Sequence, residues 1–186
     1  MMVKVCGITN QEDANAAEQA GADAIGFNFY PKSPRYIAPA AAARIRTKVI
    51  RVGVFVDEAP AAVAAIAHEA GLNVVQLHGE ECAADYVPLR VWKAFRVTMG
   101  DATGAEAVLL DGPAPGTGEP FDWSKIESTG QKLILAGGLG PDNVADAIRQ
   151  VRPWGVDACS RIESAPGRKD HNRMRQFIEA AHKVSL

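Results

Sequence analysis

The chain of 186 residues is 47% hydrophobic and 23% charged, the balance of a single globular domain over residues 1–186 with apolar mass for one substantial core. Its 20 basic and 22 acidic side chains leave a formal charge of −2 and an isoelectric point near 6.1, so no basic field exists to hold nucleic acid or an anionic membrane surface. The start MMVKVCGIT lacks the charged head and long apolar run of a secretory signal and no stretch reaches membrane-spanning length, so a cytoplasmic protein is expected.

In chain order, an apolar run at 3–8 predicts a first strand, and Asn10 caps a predicted helix over 11–20. A strand at 23–29 follows, then a proline-stiffened loop, FYPKSPRYI, and a helix over 40–48 after Pro39. Strand 50–56, helix 61–70 after Pro60 and strand 74–79 come next, and 81–88 leaves room for little more than two turns. Strands at 91–97 and 107–111 are separated by only nine residues, which predicts a shortened or missing helix between the fifth and sixth strands. A Gly/Pro-rich loop, DGPAPGTGEPFDW, leads towards a strand at 132–138, a helix over 141–151, a strand at 155–160 and a helix over 170–183.

Several of the eight strand runs are apolar on nearly every residue, as expected of parallel strands covered by helices outside and by a filled interior within. The alternation predicts a compact (β/α)8 TIM barrel, an α/β fold trimmed well below the usual ~250 residues. An open doubly wound sheet is the competing architecture, but CGITN after the first strand lacks the glycine fingerprint of a dinucleotide site.

Barrel chemistry gathers at the carboxyl ends of the strands, which here carry Cys6, Asn28, Asp57, His78, Arg96, Asp111, Gly137–Gly138 and Ser160–Arg161. A single cysteine is more often a small buried hydrophobe than a reactive group, but at the end of the first strand Cys6 is placed as a base. Asp111, ordinarily a turn former, stands before a loop long enough to cover the mouth and raise its pKa, as an acid requires. Cys82, after HGEE, reads as structural, and if Ser160 faces the mouth then Cys159 packs outward. LAGGLGPDNV frees backbone N–H groups at Gly137 and Gly138 for an anion, and Ser160 with Arg161 after the eighth strand would close a phosphate site. Arg35 could reach over the mouth to a second anionic group, and His78 has a structural or substrate-binding role ahead of a catalytic one. The histidines 68, 78, 171 and 182 show no ligand spacing and the three cysteines no clustering, so no metal site or disulfide is expected.

The stretches KVCGIT, GADAIGFNFYPKSPRYI, RVGVFV, VVQLHGEE, LLD, GTGEPFDW, LILAGGLGPDNVADAI, GVDACS and APGRKD occur in an order that resembles the phosphoribosylanthranilate isomerase family of tryptophan biosynthesis over nearly the whole chain. The resemblance implies a (β/α)8 barrel, working without cofactor on a small phosphorylated substrate, as a monomer or homodimer. It implies Cys6 as general base, Asp111 as general acid, Arg35 on the anthranilate carboxylate, and the backbones of Gly137, Gly138 and Ser160 on the phosphate. A sugar-phosphate isomerase of histidine biosynthesis, which pairs aspartates, and a non-catalytic phosphate-binding barrel are the rival readings. One departure stands out: where the family commonly reads Ser-Gly-Val-Glu, this chain has Ser160-Arg161-Ile162-Glu163. Arg161 either supplements the phosphate grip or, if that position needs a positive φ, points away.

Overall fold

The computed structural model describes residues 1–113, 122–126 and 130–184. Eight parallel strands close into a barrel: β1 (Met2–Val5), β2 (Ala24–Asn28), β3 (Ile50–Phe55), β4 (Val74–Leu77), β5 (Val91–Arg96), β6 (Ala107–Asp111), β7 (Lys132–Leu135) and β8 (Gly155–Ala158). They pair in sequence order, and β1 returns to β8 in register, Met2 opposite Gly155, Lys4 opposite Asp157 and Val5 opposite Ala158. The helices are α1 (Gln11–Ala20), α2 (Pro39–Arg44), α3 (Pro60–Ala70), α4 (Val144–Val151) and α5 (His171–His182). A single 3-10 turn, Ala83–Tyr86, stands between β4 and β5, and no helix lies between β5 and β6, as the short spacing predicts. Among the described residues no helix is long and apolar enough to cross a membrane.

Strand alternation divides the core in two. Met2, Ala24, Val52, Val74, Trp92, Leu109 and Ile134 meet inside the barrel floor. Val3, Val5, Ile25, Phe27, Phe55 and Leu77 point the other way and pack under the helices with Phe177 and Ile178 of α5. On the inner side of β1, Lys4 and then Cys6 follow Met2 towards the mouth.

Several elements differ in their bounds from the sequence expectation: β1 ends at Val5 and β7 at Leu135, and α4 begins at Val144. α2 stops at Arg44, not 48, because α1 captures the next segment: the Gln11 side chain bonds Arg46 N (2.7 Å) and Arg46 O (2.8 Å), and Glu18 takes Thr47 Oγ1 (2.8 Å) and Lys48 N (3.0 Å). After β8 a small hairpin, β9 (Glu163–Ala165) and β10 (Arg168–Lys169), is added, turning at Gly167 with φ of 77°.

The shortened α2 leaves carbonyls to be satisfied, and Arg51 of β3 does this. Its Nη1 donates to Ile45 O (2.7 Å), its Nη2 to Ala42 O and Ala70 O (both 2.7 Å), and its guanidinium lies 4.8 Å over the Phe27 ring. One cation therefore terminates both α2 and α3 against the barrel. Arg51→Met keeps the aliphatic packing but orphans the carbonyls of Ile45 and Ala70, Ala42 O keeping its bond from Ile45 N, and is expected to lower unfolding free energy by about 2 kcal/mol, read from the urea midpoint at unchanged slope.

Candidate active site

Cys6 lies one residue beyond β1, half-buried, its N–H bonded to Ala158 O at 2.9 Å. Gly7 then turns the chain with φ of 75°, and glycine is required twice over: a Cβ there would sit 2.9 Å from Arg35 Cδ and 2.9 Å from Cys159 Sγ. Below Cys6 is Lys4, wholly buried, with Nζ 2.9 Å from Asp157 Oδ2. Gly26 of β2 makes room for both, since a Cβ there would meet Cys6 Sγ at 2.8 Å and Lys4 Cε at 3.2 Å.

The hydrogen bond from Cys159 holds the Cys6 thiol well below its ordinary range; burial opposes this, and the Lys4 and Lys169 cations assist. Burial also opposes charge on Lys4, but Asp157 and Cys6 outweigh it and hold the ammonium above its usual range. Asp157 is pushed up to about 7, chiefly by burial, with Lys4 pulling the other way.

Cys159 therefore does not pack outward. Asp157 faces inward to Lys4, so alternation turns Ala158 outward and brings Cys159 back into the mouth beside Gly7, just ahead of the 3-10 turn Ser160–Ile162. Cys82 is exposed, just ahead of the Ala83–Tyr86 turn.

Asp111 ends β6, half-buried, accepting from Gly112 N at 2.8 Å. Burial raises its pKa against that bond, and the charge of Cys6 adds to the rise. The loop expected to cover it falls largely on residues 114–121, outside the described residues.

Arg35 approaches Cys6 over Gly7 but is already gripped. Its Nε lies 3.0 Å from Glu163 Oε1 and its Nη2 2.8 Å from Oε2, and Glu163 also holds Lys169 Nζ at 2.8 Å. Nη1 has no acceptor among the described residues.

Gly137 and Gly138 have φ of 77° and 67°, and neither N–H has an acceptor among the described residues. The carbonyl of Gly138 is turned away and held by Asn143 Nδ2 (2.9 Å) and Arg161 Nη1 (3.2 Å). Arg161 is not at a positive-φ position, so its backbone does not need glycine. Its guanidinium is bidentate on Asp142 (2.9 and 2.7 Å) and bridges the Gly138 loop to the turn after β8.

On the other side of the mouth a cleft of about 580 Å³ is lined by Asp57, His78, Glu81, Lys93, Phe95 and Arg96. Asn28 and Asp57, strand-end candidates by position, bond locally, to Tyr30 N (2.9 Å) and Glu80 N (2.7 Å). Arg96 is exposed and has no hydrogen-bond acceptor among the described residues. Sequence reasoning missed Lys4, Asp157 and Glu163; the signal for Lys4 was its place two residues before Cys6 on one face of one strand.

The arrangement offers a lowered thiol, a raised carboxyl and an anion-receptive glycine loop in one mouth. The model of the family described as N-(5'phosphoribosyl)anthranilate (PRA) isomerase matches residues 3–180. The N-(5'-phosphoribosyl)anthranilate isomerase of Solibacter usitatus is 55% identical, covering 97% of each chain. The phosphoribosyl anthranilate isomerase of Thermus thermophilus superposes with a TM-score of 0.90 at 40% identity, covering 100% of both chains. A phosphoribosyl anthranilate isomerase in complex with reduced 1-(o-carboxyphenylamino)-1-deoxyribulose 5-phosphate gives 0.83 at 41% identity, covering 99% of this chain and 100% of that one.

His78 is half-buried at the end of β4, and burial, aided by the Lys4, Arg96 and Lys93 cations, lowers its pKa from 6.5 to about 3. The unfolded chain thus binds a proton that the folded chain refuses between those values, so stability is lost as pH falls from 6.5 towards 3. NMR of the imidazole is expected to show no His78 titration down to roughly pH 4, and His78→Gln to flatten the pH dependence of unfolding in that window. A normal titration midpoint would contradict the assignment.

Proposed function

The chain belongs to the N-(5'-phosphoribosyl)anthranilate isomerase family and is an isomerase of tryptophan biosynthesis; from this premise we propose that Cys6 and Asp111 are its general base and general acid. The reaction converts the aminoaldose N-(5-phosphoribosyl)anthranilate into 1-(2-carboxyphenylamino)-1-deoxyribulose 5-phosphate. Asp111 protonates the ribose ring oxygen and the ring opens to an iminium. Cys6 then takes the C2′ proton, leaving an enolamine that tautomerises to the ketone.

The observation that carries this reading is the opposite displacement of the two groups. An ordinary thiol and carboxyl are separated by about five pK units in the wrong order for a thiolate base beside a carboxylic acid. With Cys6 lowered and Asp111 raised, each unit of convergence enlarges the correctly protonated population tenfold. The rival barrel of histidine biosynthesis pairs aspartates, and a purely binding barrel has no use for this convergence.

The Gly137 and Gly138 N–H groups and Ser160 would hold the phosphate, and Arg35 the anthranilate carboxylate, with His78 as a neutral hydrogen-bonding partner. Arg161 serves the phosphate through the loop: its ties to Asp142 and Gly138 O fix the direction in which the glycine N–H groups point.

Cys6→Ser and Asp111→Asn are each expected to lower kcat/KM by about 10²- to 10⁴-fold, followed as loss of fluorescence from freshly made phosphoribosylanthranilate. The wild-type kcat/KM should trace a bell, rising as Cys6 ionises and falling as Asp111 loses its proton. Full activity in both variants, or a monotonic rise through the ordinary thiol range, would overturn the mechanism. For Arg161→Gly the expected result is a KM several-fold higher at nearly unchanged kcat, and an unchanged KM would remove Arg161 from phosphate binding.

A further inference from the structure

We propose that Lys4 and Cys159 are positioning residues that together hold Cys6 as the thiolate, Lys4 as a cation from beneath and Cys159 as a hydrogen-bond donor from the side. The inference rests on the reading of Cys6 as the base. Neither residue lies in the anion sites, and neither has another chemical employment.

The argument begins with strand register. β1 and β8 pair Lys4 with Asp157 and Val5 with Ala158, and the Lys4–Asp157 contact of 2.9 Å proves that both side chains of that pair face the interior. Two residues further along each chain are Cys6 and Cys159. Both are half-buried, and Cys159 Sγ closes on the residue next to Cys6, 2.9 Å from a Cβ placed on Gly7. Cys6 Sγ and Lys4 Cε both close on one point beside Gly26, at 2.8 and 3.2 Å from a Cβ placed there, so ammonium and sulfur belong to one cluster.

The pair of thiols shares one proton, and its location follows from the neighbours. Cys159 Sγ has a second possible acceptor, Glu163 Oε1 at 3.7 Å. That oxygen is already crowded with donors, Lys169 Nζ at 2.8 Å, Arg35 Nε at 3.0 Å and Gly167 N at 3.3 Å. The Cys159 proton is therefore better used on Cys6. Lys169 stands 3.7 Å from Cys159 Sγ and shares the Glu163 carboxylate with Arg35, so one negative charge meets two cations and the surplus positive charge adds to that of Lys4 in favouring the thiolate. Lys4 is matched by Asp157, whose own burial weakens its hold on the proton-free form, leaving Lys4 more of its field for Cys6.

The remaining charged groups facing Cys6 are known. Arg35 lies across Gly7 and shares Glu163 with Lys169; Asp111 faces Cys6 from β6; His78 is neutral; and Asp157 pairs with Lys4. Of these, the Asp157 carboxylate competes with the Cys6 thiolate for the same ammonium. Lys4 and Asp157 must therefore influence Cys6 with opposite signs, which a merely structural ion pair would not do.

The test is the pH dependence of Cys6 alkylation by iodoacetamide in the full chain, read by mass spectrometry in a Cys82→Ser background so that the exposed thiol is silent. Lys4→Met is expected to raise the midpoint by about one unit, Cys159→Ala to raise it, Cys159→Ser to restore it because a hydroxyl still donates, and Asp157→Asn to lower it. If Lys4→Met disturbs folding, Lys4→Met/Asp157→Leu, which replaces the pair by an apolar one, reports the loss of the cation in its place. The limb of kcat/KM assigned to Cys6 should move with the alkylation midpoint. Unchanged midpoints in folded Lys4 and Cys159 variants, or shifts of one sign for Lys4→Met and Asp157→Asn, overturn the inference. Full activity of Cys6→Ser would instead overturn the reading of Cys6 as base, and the alkylation midpoints would still decide the inference by themselves.

Discussion

The in-register seam between β1 and β8, marked by the Lys4–Asp157 ion pair, is the constraint on which the rest of the mouth depends. It closes the barrel, and because side chains alternate with a period of two, it also decides that Cys6 and Cys159 face one another at the rim. A buried ion pair is poor evidence of stabilisation, since desolvation of two ions offsets most of their attraction. The surroundings here are not tuned for it either: Asp157 Oδ1 and both polar atoms of Gln76 have no hydrogen-bond partner among the described residues. Stability comes from the apolar floor beneath and the helix layer outside, which leave the polar middle of the barrel to serve the site.

A second junction, at Glu163, secures the same side of the mouth, just beyond the β1–β8 seam. Burial resists its charge, but Arg35 and Lys169 outweigh that and keep it ionised. Through those bonds Glu163 ties the loop after β2 to the β9–β10 hairpin, and Asp13 extends the connection by accepting from Lys169 N at 2.9 Å. Arg35 is thus presented to the mouth by a carboxylate and not by its own loop alone. Its guanidinium has one edge already committed to Glu163 and its other nitrogen, Nη1, without an acceptor among the described residues.

The barrel and the positions of Cys6 and Asp111 at its mouth were legible because they depend on order and position: apolar runs at regular spacing, a thiol at the end of the first, an acid at the end of the sixth. What was not legible depends on contacts between distant segments. α2 ends at Arg44 because Gln11 and Glu18 of another helix bind the residues beyond it, and no local propensity records that. Cys159 was misplaced because the phase of β8 was anchored on Ser160 facing the mouth, whereas Asp157 faces inward to Lys4 and alternation then brings Cys159 inward. Lys4 was hidden in a run read as uniformly apolar, although a lysine on the inner face of a barrel strand needs a partner and therefore announces one. Arg161, legible only as a departure, proves to be a tie between two loops through Asp142.

Burial acts on Cys6 and Asp111 in the same sense, favouring the neutral form of each, so a shared low-dielectric mouth cannot by itself drive them apart. The separation of roles must come from specific partners. Asp111 has the N–H of Gly112, helped by the Lys4 and Arg96 cations, and together these are too little to overcome burial, so it remains a carboxylic acid to higher pH. Cys6 has a thiol donor and two cations, and these more than cancel burial. Cys6 and Asp111 are therefore distinguished less by being a cysteine and an aspartate than by their surroundings: the residues after β8 and Lys4 of β1 outweigh burial at Cys6, whereas the Lys4 and Arg96 charges and the Gly112 N–H do not outweigh it at Asp111.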